Sequence, residues 1–329
     1  MKFAILGAGG CFGLNLARFF IGRGHDVVGI GRSSLRGEAF ALDLARARAN
    51  WRYHQYSIGP DTEFLLDVLD AEKPAVIVNF AAQGEGAASF RPAKHWKYFY
   101  HTNAVALVEL TEHLASRPWL ERFIHIGTSE LYGPVTRPAP EDAPLVPTSP
   151  YAASKAAFDL HLQAIHKVLG FPMNIVRPSN CYTPGQQLHR IVPKALLYAV
   201  TGRKLPLHGG GRAEKSYLHG TDLSRAILLV AERAPLGELY NVGPEEPTSI
   251  RRVVELCAAA AGVDFDELVE ITGDRIGQDS RYWLDAGKVR ALGWAPEISW
   301  AQGLAGMVDW VRRYQDDLRE CPAEFVMRA

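Results

Sequence analysis

The chain has 329 residues, enough to bury a large core as two lobes or one large α/β unit. Apolar residues make up 47% and charged residues 22%, which excludes a disordered or fibrous chain. Basic and acidic residues both number 36, so the net charge is zero and no basic excess points to nucleic acid or an anionic membrane surface. In chain order, short apolar runs at residues 3–6, 26–30, 75–80, 122–126 and 173–176 read as buried parallel strands. Amphipathic segments near 12–23, 62–72, 103–116 and 152–169 lie between them, so the alternation predicts a parallel sheet with helices on both faces and right-handed crossovers. After Arg177-Pro178 the texture changes. Pro184-Gly185, Gly209-Gly210-Gly211, Pro235-Leu236-Gly237 and Gly243-Pro244 punctuate shorter elements, the mark of a smaller, loop-rich lobe. Tyr240-Asn241-Val242 reads as a strand returning to the first lobe.

Cys11, Cys181, Cys257 and Cys321 stand far apart with no CxxC pair, which fits a reducing compartment and offers no disulfide or metal framework. His95, His101, His113 and His166 lack ligand spacing and read as surface or packing residues, so no metal is expected. The apolar run after Met1-Lys2 is too short for a signal peptide, and no apolar stretch is long enough to span a bilayer. A cytoplasmic location is the default expectation.

Gly7-Ala8-Gly9-Gly10-Cys11-Phe12-Gly13 joins the first strand to the first helix. Glycines there let the backbone turn tightly and approach a pyrophosphate held at the helix N-terminus. The spacing departs from GxGxxG, because Phe12 takes a glycine's place, but the position at the first strand favours a dinucleotide site. The second strand runs into Gly29-Ile30-Gly31-Arg32-Ser33-Ser34 with no carboxylate. An acidic residue there would bind the ribose of NAD, whereas Arg32 suits the 2′-phosphate of NADP; a solvated loop cation is the alternative.

Tyr151 and Lys155 are four apart and share a helix face. An ammonium beside a phenol favours the phenolate, which makes tyrosine a usable general base near neutral pH. The pair gains weight from Gly127-Thr128-Ser129-Glu130-Leu131-Tyr132-Gly133, just past an apolar strand, where open α/β sheets place their ligands.

These residues, with the glycine loop and Asn79-Phe80-Ala81-Ala82, resemble the extended short-chain dehydrogenase/reductase family, along almost the whole chain. The nearest likeness is to the nucleotide-sugar 4,6-dehydratases. Thr128-Ser129-Glu130-Leu131-Tyr132-Gly133 is similar to the type acting on GDP-mannose. Ser179-Asn180-Cys181-Tyr182, Leu205-Pro206-Leu207-His208-Gly209 and Gly277-Gln278-Asp279-Ser280-Arg281-Tyr282 resemble the dTDP-glucose type.

The resemblance implies a Rossmann-type doubly wound α/β fold. Residues 1–178 would form the NAD(P)-binding domain, with a returning segment near 220–243, and 179–329 mainly a smaller substrate-binding lobe. Tightly bound NADP or NAD, with NADP slightly favoured, would lie against Gly7, Gly10, Cys11, Phe12, Gly13, Arg32, Ser33, Ala81, Ala82, Tyr151 and Lys155. Tyr151 would take the sugar 4-hydroxyl proton as hydride leaves C4, Thr128 would bond that oxygen, and Lys155 would hold the nicotinamide ribose. Glu130 would remove the C5 proton, water would leave C6, and the hydride would return to C6. A loop-ordering role is the other reading of Glu130. Ser129 stands where the dTDP-glucose type has an aspartic acid for the leaving hydroxyl, so Glu130 would deliver the proton it removed.

For the substrate, the implied set is Gln83, Asn180, Arg190, Lys215, Asn241 and Arg281, with Asn180 at the pyrophosphate or sugar and Arg190 and Arg281 at the nucleotide end. Lys215 replaces an arginine of the family and offers a point charge in place of a planar fork. Ser57-Ile58 replaces an Asp-Leu pair after the third strand, with Asp43 and Asp61 expected on the adenine side. The aromatic stretch Trp96-Lys97-Tyr98-Phe99-Tyr100 reads as core or as the start of a helical face for a homodimer. Related outcomes are 4-epimerisation and decarboxylation of a nucleotide-linked uronic acid. A non-catalytic NADP-binding regulator is the alternative from another class, and fold alone does not separate it.

Overall fold

The computed structural model describes residues 1–45, 49–84, 96–273 and 280–324. The chain opens with β1 (Lys2–Leu6), α1 (Cys11–Ile21), β2 (Asp26–Gly31), the single turn α2 (Glu38–Ala41) and β3 (Trp51–Gln55). Next come α3 (Thr62–Glu72), β4 (Val76–Asn79), α4 (Trp96–Tyr100), α5 (Ala106–Leu114) and β5 (Arg122–Ile126). After α6 (Pro150–Leu169) and β6 (Met173–Pro178) the elements shorten: β7 (Asn180–Tyr182), α7 (Ile191–Thr201), β8 (Leu205–His208), β9 (Glu214–Lys215) and β10 (Tyr217–His219). α8 (Gly220–Arg233) and β11 (Leu239–Val242) follow. The chain ends through β12 (Thr248–Ser249), α9 (Ile250–Ala261), α10 (Phe265–Leu268), β13 (Val269–Thr272), β14 (Arg281–Tyr282), α11 (Gly287–Ala291), α12 (Trp300–Arg313) and α13 (Gln315–Arg319).

Seven parallel strands form the central sheet in the order β11-β6-β5-β4-β1-β2-β3. This is the doubly wound α/β architecture expected from the sequence. One face is covered by α1 and α8, through Leu16, Phe20, Ile227 and Val230. The other is covered by α3, α5 and α6, through Leu65, Leu69, Leu107, Leu110, Phe158 and Leu162. Strand order reverses between β1 and β4, and in such sheets the ligand crevice opens at that switch point, beyond the strands' carboxyl ends. Outside this sheet, α7, α9 and α12 share a separate core around Leu196, Val254, Met307 and Trp310. Three small sheets, β10-β7, β12-β9-β14 and β13-β8, flank it.

The differences from the sequence reading have local causes. β3 was not among the strands marked by apolar runs and was implied only by the family resemblance, because as an edge strand it is only partly buried and its Trp-Arg-Tyr-His-Gln sequence lacks a continuous apolar run. The helix expected at 103–116 begins instead with a π-helical turn, His101–Val105, and becomes α-helical only at Ala106. α6 starts earlier than its apolar pattern, since the Ser149 hydroxyl accepts from Ala152 N at 3.1 Å and Pro150 fits the first helical position. Among the described residues no helix is long and apolar enough to cross a membrane.

The two cores are tied together at Asp222 of α8, a fully buried carboxylate. It accepts from Glu297 N and Ile298 N, both at 3.0 Å, in the segment leading to α12, and from Arg225 Nη1 at 3.1 Å. Asp222→Ala leaves both amides without their acceptor, so an expected loss of about 2–4 kcal/mol follows. Urea denaturation followed by far-ultraviolet circular dichroism checks this, and an unchanged midpoint contradicts it.

Candidate active site

One cleft of about 1410 Å³ runs across the carboxyl ends of the strands and under the second core. That exceeds the 300–1,000 Å³ typical of a pocket for one small ligand and leaves room for two. Gly7, Gly10, Cys11, Phe12, Gly13, Arg32, Ser33, Ala81, Ala82, Gln83, Thr128, Ser129, Glu130, Tyr151, Lys155, Asn180, Arg190 and Lys215 all line it. Asn241 and Arg281 do not.

The glycine turn is shaped by steric need. A Cβ on Gly13 would stand 2.7 Å from Gly7 O and 2.8 Å from Ala8 Cα, so α1 approaches β1 only with glycine there. Gly7 has φ +77° and its Cβ would meet Ala81 N at 2.6 Å, which forces a glycine against the end of β4. The cradle left at the N-terminus of α1 fits a dinucleotide pyrophosphate. Deeper in the cleft the buried Ser179 Oγ and Gln186 Oε1 have no hydrogen-bond partner among the described residues, a polar lining that suits the amide and hydroxyl groups of a cofactor or sugar. Burial raises the Cys11 thiol to about 12, so it enters the cleft as a neutral group, 3.6 Å from Gln187 Oε1.

Tyr56, Ser57 and Ile58 line the cleft beyond β3, where the sequence reading expected the adenine. Asp61 supports that wall by accepting from Ser57 N at 2.8 Å. Asp43, also expected on that side, pairs with Arg18 at 2.6 Å.

Thr128 and Glu130 are set by a tight turn at the end of β5. Thr128 caps the 3-10 helix Ser129–Tyr132, its Oγ1 accepting from Glu130 N at 3.3 Å. Tyr151 lies in the first turn of α6, with Phe99 edge-on to its ring at 6.4 Å. Lys155, one turn on, is 2% exposed and donates from Nζ to the Ile126 carbonyl at 2.7 Å. Its Nζ also lies 3.0 Å from His125 Nε2. Burial pulls Lys155 down to about 8, against the opposing pull of the Asp159 charge. Asn103 in the π-helical turn fixes Gln83 from both sides, accepting from its N at 2.7 Å and donating to its O at 3.0 Å. The same amide donates to Ser154 Oγ, which itself donates to Tyr151 O.

The cleft excludes Arg281 and Asn241 for clear reasons. β14 runs parallel to β9 with Arg281 opposite Glu214 and Tyr282 opposite Lys215. Successive side chains point to opposite faces, so Tyr282 and Lys215 share the cleft face while Arg281 bonds Glu214 on the other. Lys215 Nζ sits 3.3 Å from the Tyr282 ring centroid, a cation–π contact that orients it. Asn241 is fully buried on β11 opposite Arg177. Its amide accepts from Tyr132 OH and donates to Ala139 O, both at 2.9 Å, so it braces the loop after β5.

Sequence reading passed over Asn103, His125, Asp159 and Arg177. Arg177 Nε and Asp159 Oδ2 form a buried ion pair at 2.8 Å beneath α6. A recurrence at four-residue steps, Tyr151, Lys155, Asp159, was the available signal for Asp159. Of the histidines, His166 faces the Phe171 carbonyl at 2.9 Å, while His95 lies outside the described residues, as do Gly277, Gln278 and Asp279.

Comparison with known proteins agrees with the motif resemblance. The dTDP-glucose 4,6-dehydratase of Streptomyces niveus is 32% identical over 320 residues, 95% of this chain and 93% of that protein. The dTDP-D-glucose 4,6-dehydratase of Homo sapiens is 30% identical over 277 residues, 82% of this chain and 78% of that protein. Among solved structures, dTDP-glucose 4,6-dehydratase from Streptomyces venezuelae with NAD and TYD bound superposes with a TM-score of 0.87 at 30% identity, covering 96% of this chain and 98% of that one. The model of the NAD dependent epimerase/dehydratase family matches residues 3–243, and this chain belongs to that family.

Proposed function

We propose that this enzyme is a nucleoside-diphosphate-sugar 4,6-dehydratase. The observation that carries the reading is the convergence of Thr128 and Glu130 from β5 with Tyr151 and Lys155 from α6 in one cleft beside the glycine turn. The relatives described above are named for dTDP-glucose, so a dTDP-hexose is the first substrate to test.

A nicotinamide dinucleotide bound on the glycine turn supplies a hydride acceptor that can return the hydride later. Tyr151 accepts the 4-hydroxyl proton of the sugar, and the Lys155 ammonium favours the phenolate that does so. Thr128 hydrogen-bonds the same oxygen and holds it in line. The resulting 4-ketone acidifies the C5 proton, which Glu130 removes as general base. Hydroxide loss from C6 needs a proton. Ser129 is a poor acid, so Glu130 returns to the leaving oxygen the proton it took from C5. Arg190 and Lys215, which line the same cleft, offer positive charge to the pyrophosphate, and Asn180 offers its amide to the pyrophosphate or sugar.

For the cofactor, we favour NADP over NAD. Arg32, Ser33, Ser34 and Arg36 line the cleft just past β2, where a carboxylate would serve the free ribose of NAD. Mass analysis of the cofactor released from purified protein should find NADP, and Arg32→Ala should weaken NADP binding about tenfold more than NAD binding, roughly 1.4 kcal/mol. Equal effects on both would remove Arg32 from this role.

A homodimer is the proposed assembly. Trp96, Tyr98 and Tyr100 on α4, with Val105 and with Leu160 on α6, expose apolar side chains on helices that pack together, and Phe99 alone of the aromatic stretch is core. Sedimentation at micromolar concentration should report twice the 36.3 kDa chain mass, and Leu160→Glu should halve it. A wild-type monomer would exclude the dimer.

Incubation with dTDP-, GDP-, UDP- and CDP-hexoses without added cofactor should give a product lighter by one water. Loss of carbon dioxide, or an unchanged mass with altered couplings in the NMR spectrum, would replace this reading by decarboxylation or epimerisation. In Glu130→Gln, C4 oxidation should persist, seen as the near-ultraviolet absorbance of reduced nicotinamide, while water loss falls at least about 10²-fold. In Tyr151→Phe both should fall by roughly 10²–10⁴-fold. Elimination at the wild-type rate in Glu130→Gln would exclude Glu130 as the C5 base.

A further inference from the structure

Beneath Tyr151 and Lys155 lies a buried polar chain that the proposed reaction leaves unused. His125 on β5 is fully buried and Phe158 packs edge-on against it at 4.7 Å. The hydrogen bonds around it fix its tautomer. Asn79 Oδ1 accepts from Ala81 N at 3.0 Å, so the amide nitrogen of Asn79 is turned to His125 Nδ1, also at 3.0 Å. Nδ1 is therefore an acceptor, and the neutral imidazole carries its proton on Nε2.

That N–H faces two groups on α6. Lys155 Nζ lies 3.0 Å from Nε2, and Asp159 Oδ1 lies 3.6 Å from it. Asp159 Oδ2 is occupied by Arg177, but the buried Oδ1 accepts no hydrogen bond among the described residues. An ammonium has only donors, so a charged Lys155 and the Nε2–H of His125 cannot bond each other, whereas a neutral amine accepts that hydrogen. Two arrangements are thus available. With Lys155 as amine, Nε2–H bonds Nζ. With Lys155 as ammonium, a small tilt of the ring that closes the 3.6 Å gap turns the same N–H to the open lone pair of Asp159 Oδ1, and Nζ keeps its bond to the Ile126 carbonyl.

We infer that His125 is a positioning residue that sets the protonation of Lys155 by passing one N–H between the lysine amine and Asp159, and so fixes the upper pH limit of Tyr151 as a base. The inference rests on the reading of Tyr151 and Lys155 as the proton-transfer pair. The proton that Lys155 gains or loses exchanges with solvent through the cleft that Lys155 lines. The groups facing His125 and Lys155 are Asp159 from α6, Arg177 from β6 and Asn79 from β4, with Tyr132 held on the Arg177 guanidinium at 2.7 Å and His161 stacked on the far side of Phe158. Burial, with Lys155 and Arg177 nearby, holds the imidazole well below 6.5, so it stays neutral in both arrangements.

The test is a pH titration of ¹³C-labelled lysine in the full-length protein by NMR, with Lys155 assigned by its missing signal in Lys155→Arg. Wild-type Lys155 should titrate near 8. His125→Gln can turn its amide oxygen to Nζ, which favours the ammonium, so Lys155 should move up by about one pH unit or more. The alkaline limb of the kcat/KM profile should move with it while the acid limb stays. A Lys155 that titrates in the usual lysine range in the wild type, or does not move in His125→Gln, overturns the inference. The wild-type measurement decides even if the variant fails to fold. A shift in titration without water loss from any sugar nucleotide would instead count against the dehydratase reading.

Discussion

The bond from Lys155 Nζ to the Ile126 carbonyl joins the second turn of α6 to the last residue of β5. Both residues are buried, so a donor or acceptor left without its partner there would be costly. Because α6 is anchored there, Tyr151 one turn earlier overhangs the end of β5, where Thr128 and Glu130 emerge from their 3-10 turn. A lysine that served only as a charge near a phenol would need no such anchor. The one contact therefore fixes the relative position of two pairs of residues that are more than twenty apart in the chain.

Below this bond the structure accepts an expensive arrangement. Asp159 and Arg177 are both buried, and taking two charges out of water costs more than a simple ion pair returns unless the remaining hydrogen bonds are made. Here most are. Arg177 Nη1 donates to Tyr132 OH and to Glu141 O, Tyr132 OH donates to Asn241, and Asn241 N donates to the Glu141 carboxylate at 2.9 Å. The network pins the loop that carries Thr128, Ser129 and Glu130 to β6 and β11. Loops that hold catalytic groups are usually mobile, and a buried charge network is one way to make such a loop rigid.

The second core meets the first along the cleft, and its contribution is positive charge placed by strand pairing. Lys215 depends on β9 and β14 running side by side, which stacks Tyr282 against its ammonium. The return of β11 to the central sheet and the clamp at Asp222 hold the two cores in register. Arg190 arrives separately, as the residue before α7.

The sequence by itself determined the sheet, its helices, the glycine turn and the Tyr151–Lys155 pair, because each is written in short-range spacing: apolar runs, turns that only glycine permits, and a four-residue helical step. It also carried the β5 motif, since Thr128 and Glu130 sit two apart in one turn. Apolar patterning did not mark β3, whose half-buried edge position leaves its apolar residues scattered, and it did not show that Arg281 and Asn241 stand outside the cleft lining. Arg281 is next in sequence to the cleft-lining Tyr282, but strand alternation turns it away, and Asn241 lies on the buried face of β11. His125, Asn79, Asp159 and Arg177 come from three strands and a helix, and nothing in their neighbours announces that they meet. Only the tertiary structure decided that, because the donor and acceptor roles of buried polar groups are set by which lone pairs face which hydrogens once the chain is packed.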